Sequence, residues 1–176
     1  MDKIIQVPFI GEEILKLNTG EKVLLTGTIL TARDAAHARM IDLINKKEPV
    51  PIDFKNQVVY YCGPTPALKG RVIGSCGPTT SSRMDKFTPE LLKHGLKGMI
   101  GKGKRNEEVR RAIKENKAIY FVAPAGAGAY LSTLVKSARV IAFEDLGPEA
   151  IYELKIENFP VITAIDTKGN DIYKEF

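Results

Sequence analysis

Short apolar runs that break off into loops bearing glycine, proline and polar groups constrain this chain more than any other feature. Residues 22–30, 58–61, 71–74, 98–101 and 118–123 are rich in β-branched, aromatic and aliphatic side chains and too brief for ordinary helices, so they read as strands. Toward the C-terminus residues 139–144, 152–156, 161–166 and 172–173 read the same way, with Lys168-Gly169-Asn170 as a turn between the last two. Helical stretches lie between the strands. Ala36, Met40, Leu43 and Ile44 share one face, and Thr31 is a candidate cap ahead of them. Thr88 caps a second helix, which has Pro89 in its first turn, runs to His94 and stops at Gly95. Asn106 caps a third that continues to Glu115, and the glycine- and alanine-rich residues 124–130 precede a fourth holding Leu131, Leu134 and Val135. The order lacks a clean βαβ alternation and points to a layered α/β or α+β domain.

Composition narrows the class. A chain of 176 residues fits one domain, residues 1–176, and 44% hydrophobic residues supply a sizeable core. No window of about 20 apolar residues exists to span a bilayer. The N-terminal Met1-Asp2-Lys3-Ile4-Ile5-Gln6-Val7-Pro8 lacks the pattern of a secretory leader, so a cytoplasmic protein without a membrane partner is expected. Cys62 and Cys76 fit a reducing compartment, cannot build a four-cysteine metal site, and read as small buried hydrophobes. The net charge of +5 suits nucleic acid or a small anion. Aromatics at 7%, without Trp and without interleaved Arg or Lys, count against a stacking platform, so no nucleic-acid partner is expected.

Three strand-to-loop transitions carry the chemistry. The first runs from Thr26-Gly27-Thr28 through Thr31-Ala32-Arg33-Asp34. The second is Gly74-Ser75-Cys76-Gly77-Pro78-Thr79-Thr80-Ser81-Ser82-Arg83-Met84-Asp85. The third is Ile100-Gly101-Lys102-Gly103-Lys104. Loops at strand ends are where α/β proteins place ligand sites. In the second loop four hydroxyls precede Arg83, whose planar fork matches a carboxylate. The bland alternative is a Ser/Thr-rich turn with a surface ion pair between Arg83 and Asp85. Lys102 between two glycines is a point charge where backbone can approach a ligand, or simply a lysine on a turn; the spacing is not that of a phosphate-binding P-loop. Arg33 opens a helix beside Asp34, either as an anion contact or as an N-terminal ion pair. His37, one turn on, reads as structural. Arg33, Arg83, Lys102 and the hydroxyls together amount to half a site, with anion-binding groups and no metal ligands of their own.

These strings resemble the β region of class I fumarases and tartrate dehydratases. Residues 26–37, TGTILTARDAAH, resemble that family's SGTIYTARDAAH. Residues 60–64 resemble its YYAGP, residues 74–85 its GSAGPTTSGRMD, and residues 100–103 its IGKG. Residues 144–150 and 158–160 follow its C-terminal pattern, so the likeness covers nearly the whole chain in order. Cys62 and Cys76 replace the usual alanines, and Ser82 a frequent glycine.

The resemblance implies a swivelling β/β/α three-layer domain and a hydro-lyase that moves water across the double bond of a small dicarboxylate. Fumarate to (S)-malate is the first reading. The alternatives are a tartrate dehydratase β subunit and a non-catalytic small-anion-binding module. By the same resemblance Arg33, Thr79, Thr80, Arg83 and Lys102 bind substrate, and Thr79 is the proposed catalytic base. The proposed acid, an aspartate, lies in an α subunit, as do the cysteines that hold a 4Fe–4S cluster. The β chain would join that subunit in a hetero-oligomer of two α and two β chains or similar. With only two cysteines present, anaerobic reconstitution of the isolated chain with iron and sulfide is expected to give no stoichiometric cluster spectrum. A stable cluster on this chain alone contradicts that expectation.

Overall fold

The computed structural model describes residues 3–174. Met1 and Asp2, which open the stretch read above as carrying no leader, lie outside the described residues. Three crossover units follow one another: β2 (Lys22–Thr31), α1 (Asp34–Asn45), β3 (Val58–Tyr60), α2 (Thr88–Lys93), β4 (Gly98–Gly101), α3 (Glu107–Glu115) and β5 (Ile119–Val122). β2, β3, β4 and β5 are parallel neighbours in that order. Right-handed crossovers stepping in one direction put all three helices on one face. The βαβ alternation is therefore present after all. It hides in the sequence because β3 and β4 are only 3 and 4 residues long.

The last third of the chain closes the sheet. β7 (Ile151–Ile165) runs antiparallel to β2 along one side and to β5 along the other, so β2, β3, β4, β5 and β7 form a ring. β1 (Lys3–Val7) flanks β2, and β6 (Val135–Ala142), reached through α4 (Gly128–Thr133), flanks β7. Alternation along each strand separates two cores. Val58, Tyr60, Ile100, Ile119 and Phe121 pack inside the ring with Val23, Leu25, Phe159 and Val161. Val59, Tyr61, Met99 and Tyr120 pack on the other side with Met40, Leu91, Val109 and Ile113 of the helices. The result is the mixed β/β/α layering expected. Gly27 lies inside β2, as the strand read over residues 22–30 expects. Its φ is +127°, and a Cβ there would run into the Val7 carbonyl of β1.

Several local expectations change. Residues 71–74 form no strand, because Gly74 and Thr65 N–H donate to Thr65 and Ser75 carbonyls and fold the loop on itself. Thr31 ends β2 and caps nothing; its hydroxyl accepts the Tyr152 N–H at 3.1 Å. Thr88 is buried and donates to the Met84 carbonyl instead of capping. Asn106 does cap α3, accepting from Val109 N–H at 2.8 Å. Val135 belongs to β6, not to the preceding helix. Residues 152–156 and 161–165 join in the single strand β7, with Asn158 at φ +53°, and Asp166 lies beyond its end. Residues 172–173 fall in a turn after one bridge between Ile165 and Asp171.

A buried ion pair ties the layers. Arg105 Nε donates to Asp85 Oδ1 at 2.6 Å, and the Arg105 side chain is fully enclosed. Its guanidinium also donates to Thr88 Oγ1 at 2.8 Å and lies over the rings of Tyr61 and Tyr120. Asp85 Oδ2 accepts the Asn106 N–H at 2.8 Å.

His37 is a further buried polar group on this side of the sheet. It stacks on Phe87, meets Tyr61 edge-on, and donates from Nδ1 to the Arg33 carbonyl at 2.8 Å, while Nε2 is buried without a partner. Burial pushes its pKa down to about 4 from an ordinary 6.5. Between those values the unfolded chain binds the proton and the folded one does not, so stability rises with pH across this window and falls on acidification. Lowering pH from 7 to 5 should remove about 2 kcal/mol of unfolding free energy through this residue. Urea denaturation at both pH values is expected to show that loss, and His37→Phe to lack most of it. An equal loss in the variant would assign the effect elsewhere.

Candidate functional site

Because β2, β3 and β4 are parallel, the three loops identified in the sequence all leave the same end of the sheet. Main-chain bonds stitch them together. Ala32 N–H donates to Tyr60 O at 3.1 Å, Tyr61 N–H to Ile100 O at 2.8 Å, and Thr79 N–H to Tyr61 O at 2.7 Å. Thr80 and Lys102 form a parallel bridge. The loop after β3 thus returns across the end of its own strand and meets the loop after β4.

Arg33 occupies the cap position of α1 with extended backbone and no capping bond. Its side chain lies against Gly63, where an added Cβ would sit 3.0 Å from Arg33 Cδ and Nη1. Arg33 Nε is buried without an acceptor, 3.9 Å from Asp34 Oδ2 and 4.0 Å from Glu149 Oε1. A buried donor left without a partner costs about 1–3 kcal/mol, which an arriving anion would recover. Glu149, from the turn before β7, instead accepts the Ala35 N–H at 3.3 Å and holds the start of α1.

Arg83 does not pair with Asp85. It reaches across to the first loop, where Nε donates to Asp34 Oδ1 at 3.0 Å and Nη2 lies 2.8 Å from Oδ2. Asp85 is drawn inside by Arg105, because a buried guanidinium demands its counter-charge more strongly than an exposed one. Asp34 thus holds one edge of the Arg83 fork and leaves the other outward, with the Arg83 side chain 50% exposed. Arg33 and Arg83 flank the same aspartate.

The hydroxyl row divides by depth. Thr79 is half-buried, Thr80 exposed and Ser81 fully buried. The Thr79 hydroxyl has no hydrogen-bond partner among the described residues, so none of them activates it through a hydrogen bond. Ser81 exchanges two bonds with Lys102: its N–H donates to Lys102 O at 3.0 Å, and its Oγ accepts Lys102 N–H at 3.0 Å. A Cβ on Gly101 would collide with that hydroxyl.

Among the described residues no three His, Cys, Asp or Glu side chains gather as a metal site. Cys62 and Cys76 are free thiols packed in the ring interior, so they do not fit as ligands of an iron–sulfur cluster. Clefts of about 340 and 360 Å³ border residues 64–75 on a neighbouring surface, and neither is lined by Arg33, Thr79, Arg83 or Lys102. Arg33 and Lys102 are partly exposed and Arg83 is half-exposed. No helix among the described residues is long and apolar enough to cross a membrane.

Sequence reasoning passed over Arg105, Glu149 and Tyr120. Arg105 reads as one more cation after Lys102-Gly103-Lys104. The one signal was its place directly before the Asn106 cap, where a side chain often packs inward.

The sequence matches other proteins over nearly its full extent. It is 36% identical over 171 residues to a Leishmania major protein named fumarate hydratase 1, mitochondrial, covering 96% of this chain and 31% of that one. It is 37% identical over 153 residues to the Escherichia coli protein named fumarate hydratase class I, anaerobic, covering 86% and 28%. It is 33% identical over 180 residues to the Escherichia coli L(+)-tartrate dehydratase subunit beta, covering 99% and 88%. The chain therefore spans less than a third of those two fumarate hydratases and most of that separate subunit. The family profile described as Fumarase C-terminus matches residues 3–176, and the chain belongs to that family.

Proposed function

We propose that this chain is the β component of a hydro-lyase: it clamps a small dicarboxylate while an α subunit completes the site and water is added or removed, fumarate to (S)-malate being the first reading. The observation that supports this reading is that the loops bearing Arg33, Arg83 and Lys102 leave one end of the sheet, with Arg33 and Arg83 against the same Asp34 and Lys102 bridged to Thr80. A dicarboxylate brings two negative charges, and two guanidiniums and an ammonium are enough to fix both ends. The outward edge of Arg83 offers a bidentate contact to one carboxylate. Arg33 contributes a buried N–H that lacks an acceptor. Lys102 adds a compact charge. Thr80, exposed beside Lys102, supplies a hydroxyl donor.

Thr79 is assigned as the base that takes a proton during dehydration. Its hydroxyl is too weak an acid and base alone, so activation has to come from the α subunit. The 4Fe–4S cluster also belongs to that subunit in this reading, where it would supply Lewis-acid chemistry. A hetero-oligomer of two α and two β chains or similar follows. A second reading, tartrate dehydration, is favoured by one observation: the relative that this chain covers to 88% is named a tartrate dehydratase subunit beta.

Steady-state rates on the anaerobically assembled enzyme, matched for cluster content, test the assignments. Arg83→Lys keeps charge but loses the fork and one contact to Asp34. It should lower kcat/KM roughly 10- to 150-fold, corresponding to about 1.5–3 kcal/mol for a charge-assisted bond. Thr79→Ala should lower kcat about 100-fold or more with little change in substrate affinity. A Thr79→Ala enzyme with near-normal kcat removes Thr79 from the catalytic list. Wild-type rates in Arg83→Lys remove Arg83 from the clamp.

A further inference from the structure

β4 ends at Gly101, and the chain then turns at Gly103 with φ +81°, so Lys102 sits on a bend with no strand beyond it. What fixes that bend comes from underneath. Tyr120, on the helix-facing side of β5, places its hydroxyl 2.8 Å from Ser81 Oγ and 2.8 Å from the Gly103 carbonyl. Both Tyr120 and Ser81 are fully buried. A phenol has one proton, and the Gly103 carbonyl can only accept, so Tyr120 donates there. The Ser81 hydroxyl then donates to Tyr120, and its lone pair receives the Lys102 N–H at 3.0 Å. Burial raises the Tyr120 pKa, which keeps the proton in place. The bonds run in one direction, from Lys102 N–H through Ser81 and Tyr120 to Gly103 C=O, and they bracket the lysine on both sides.

We infer that Ser81 and Tyr120 are positioning residues that set the place of Lys102, and so of its ammonium, in the dicarboxylate site. The inference rests on the reading of Lys102 as a substrate contact. Neither hydroxyl touches substrate. Each is spent on the bend that carries the charge, and removing either one takes a hydrogen bond from that bend while leaving the charge itself intact. A hydroxyl needed only for folding would act independently of whether residue 102 carries a charge.

A double-mutant cycle in the assembled enzyme separates these roles. Lys102→Met should raise KM for the dicarboxylate roughly 100-fold, as loss of a charged contact does, and Tyr120→Phe about 10-fold with kcat within about twofold. In the Lys102→Met background Tyr120→Phe should have no further effect on KM. Ser81→Ala repeats the comparison and decides the matter if Tyr120→Phe does not assemble. If the Tyr120→Phe factor persists undiminished beside Lys102→Met, or if Tyr120→Phe and Ser81→Ala leave KM unchanged while Lys102→Met raises it, the positioning role is wrong and the clamp stands. If Lys102→Met itself leaves KM unchanged, Lys102 is no substrate contact and both readings of it fall.

Discussion

The buried pair of Arg105 and Asp85 is the interaction on which the rest of this structure depends. A guanidinium withdrawn from water needs a counter-charge and filled donors, and here each partner comes from a different element. Asp85 closes the long loop after β3, Tyr61 follows β3 itself, Tyr120 lies in β5, Thr88 begins α2, and the Asn106 N–H begins α3. Removing one partner of such a pair costs about 3–5 kcal/mol because the other is left buried and unpaired. The exposed pair of Arg83 and Asp34 contributes about 0–1 kcal/mol to stability by comparison. The first pair holds the fold, and the second arranges the surface.

That difference explains how a site is made from loops. Parallel β2, β3 and β4 deliver three loop ends to one rim, but a rim alone fixes no side chain. The loop after β3 is pinned at Tyr61 by the Thr79 N–H and at its far end by Asp85. Between these points Thr79, Thr80 and Arg83 have little freedom to drift. Asp34 then turns Arg83 toward Arg33, and Ser81 locks to Lys102. At this rim Arg83 stays half-exposed and Arg33 Nε stays without an acceptor.

The elements that the sequence declared best were those with a local cause. Asn106 capping α3, the stop of α2 at Gly95, and the buried strand of β5 all follow from residues within a few positions. Long-range pairing decided the rest. The fusion of residues 152–156 and 161–165 into β7 depends on β2 lying alongside, and no local string records that. The bland alternative of an Arg83–Asp85 surface pair fails for the same reason. Asp85 is two residues away, yet Arg105 claims it from across the core and Asp34 takes its place. The candidate cations could be named because their loops follow strands, with Gly on both sides of Lys102 and Gly77-Pro78 ahead of Arg83. Their supports, Ser81, Tyr120 and Glu149, were not, since a buried hydroxyl or a distant carboxylate looks like any other until the chain is folded.

The central claim is that this face is the carboxylate-binding half of a shared site. An anaerobic crystal structure of the chain assembled with its α subunit and a non-reactive dicarboxylate tests it most directly. The account predicts one carboxylate on the outward edge of Arg83, an acceptor on the Arg33 Nε that now has none, and the Lys102 ammonium beside the same ligand. A dicarboxylate held wholly by the α subunit, with Arg33 Nε still without an acceptor and Arg83 touching only Asp34, contradicts it.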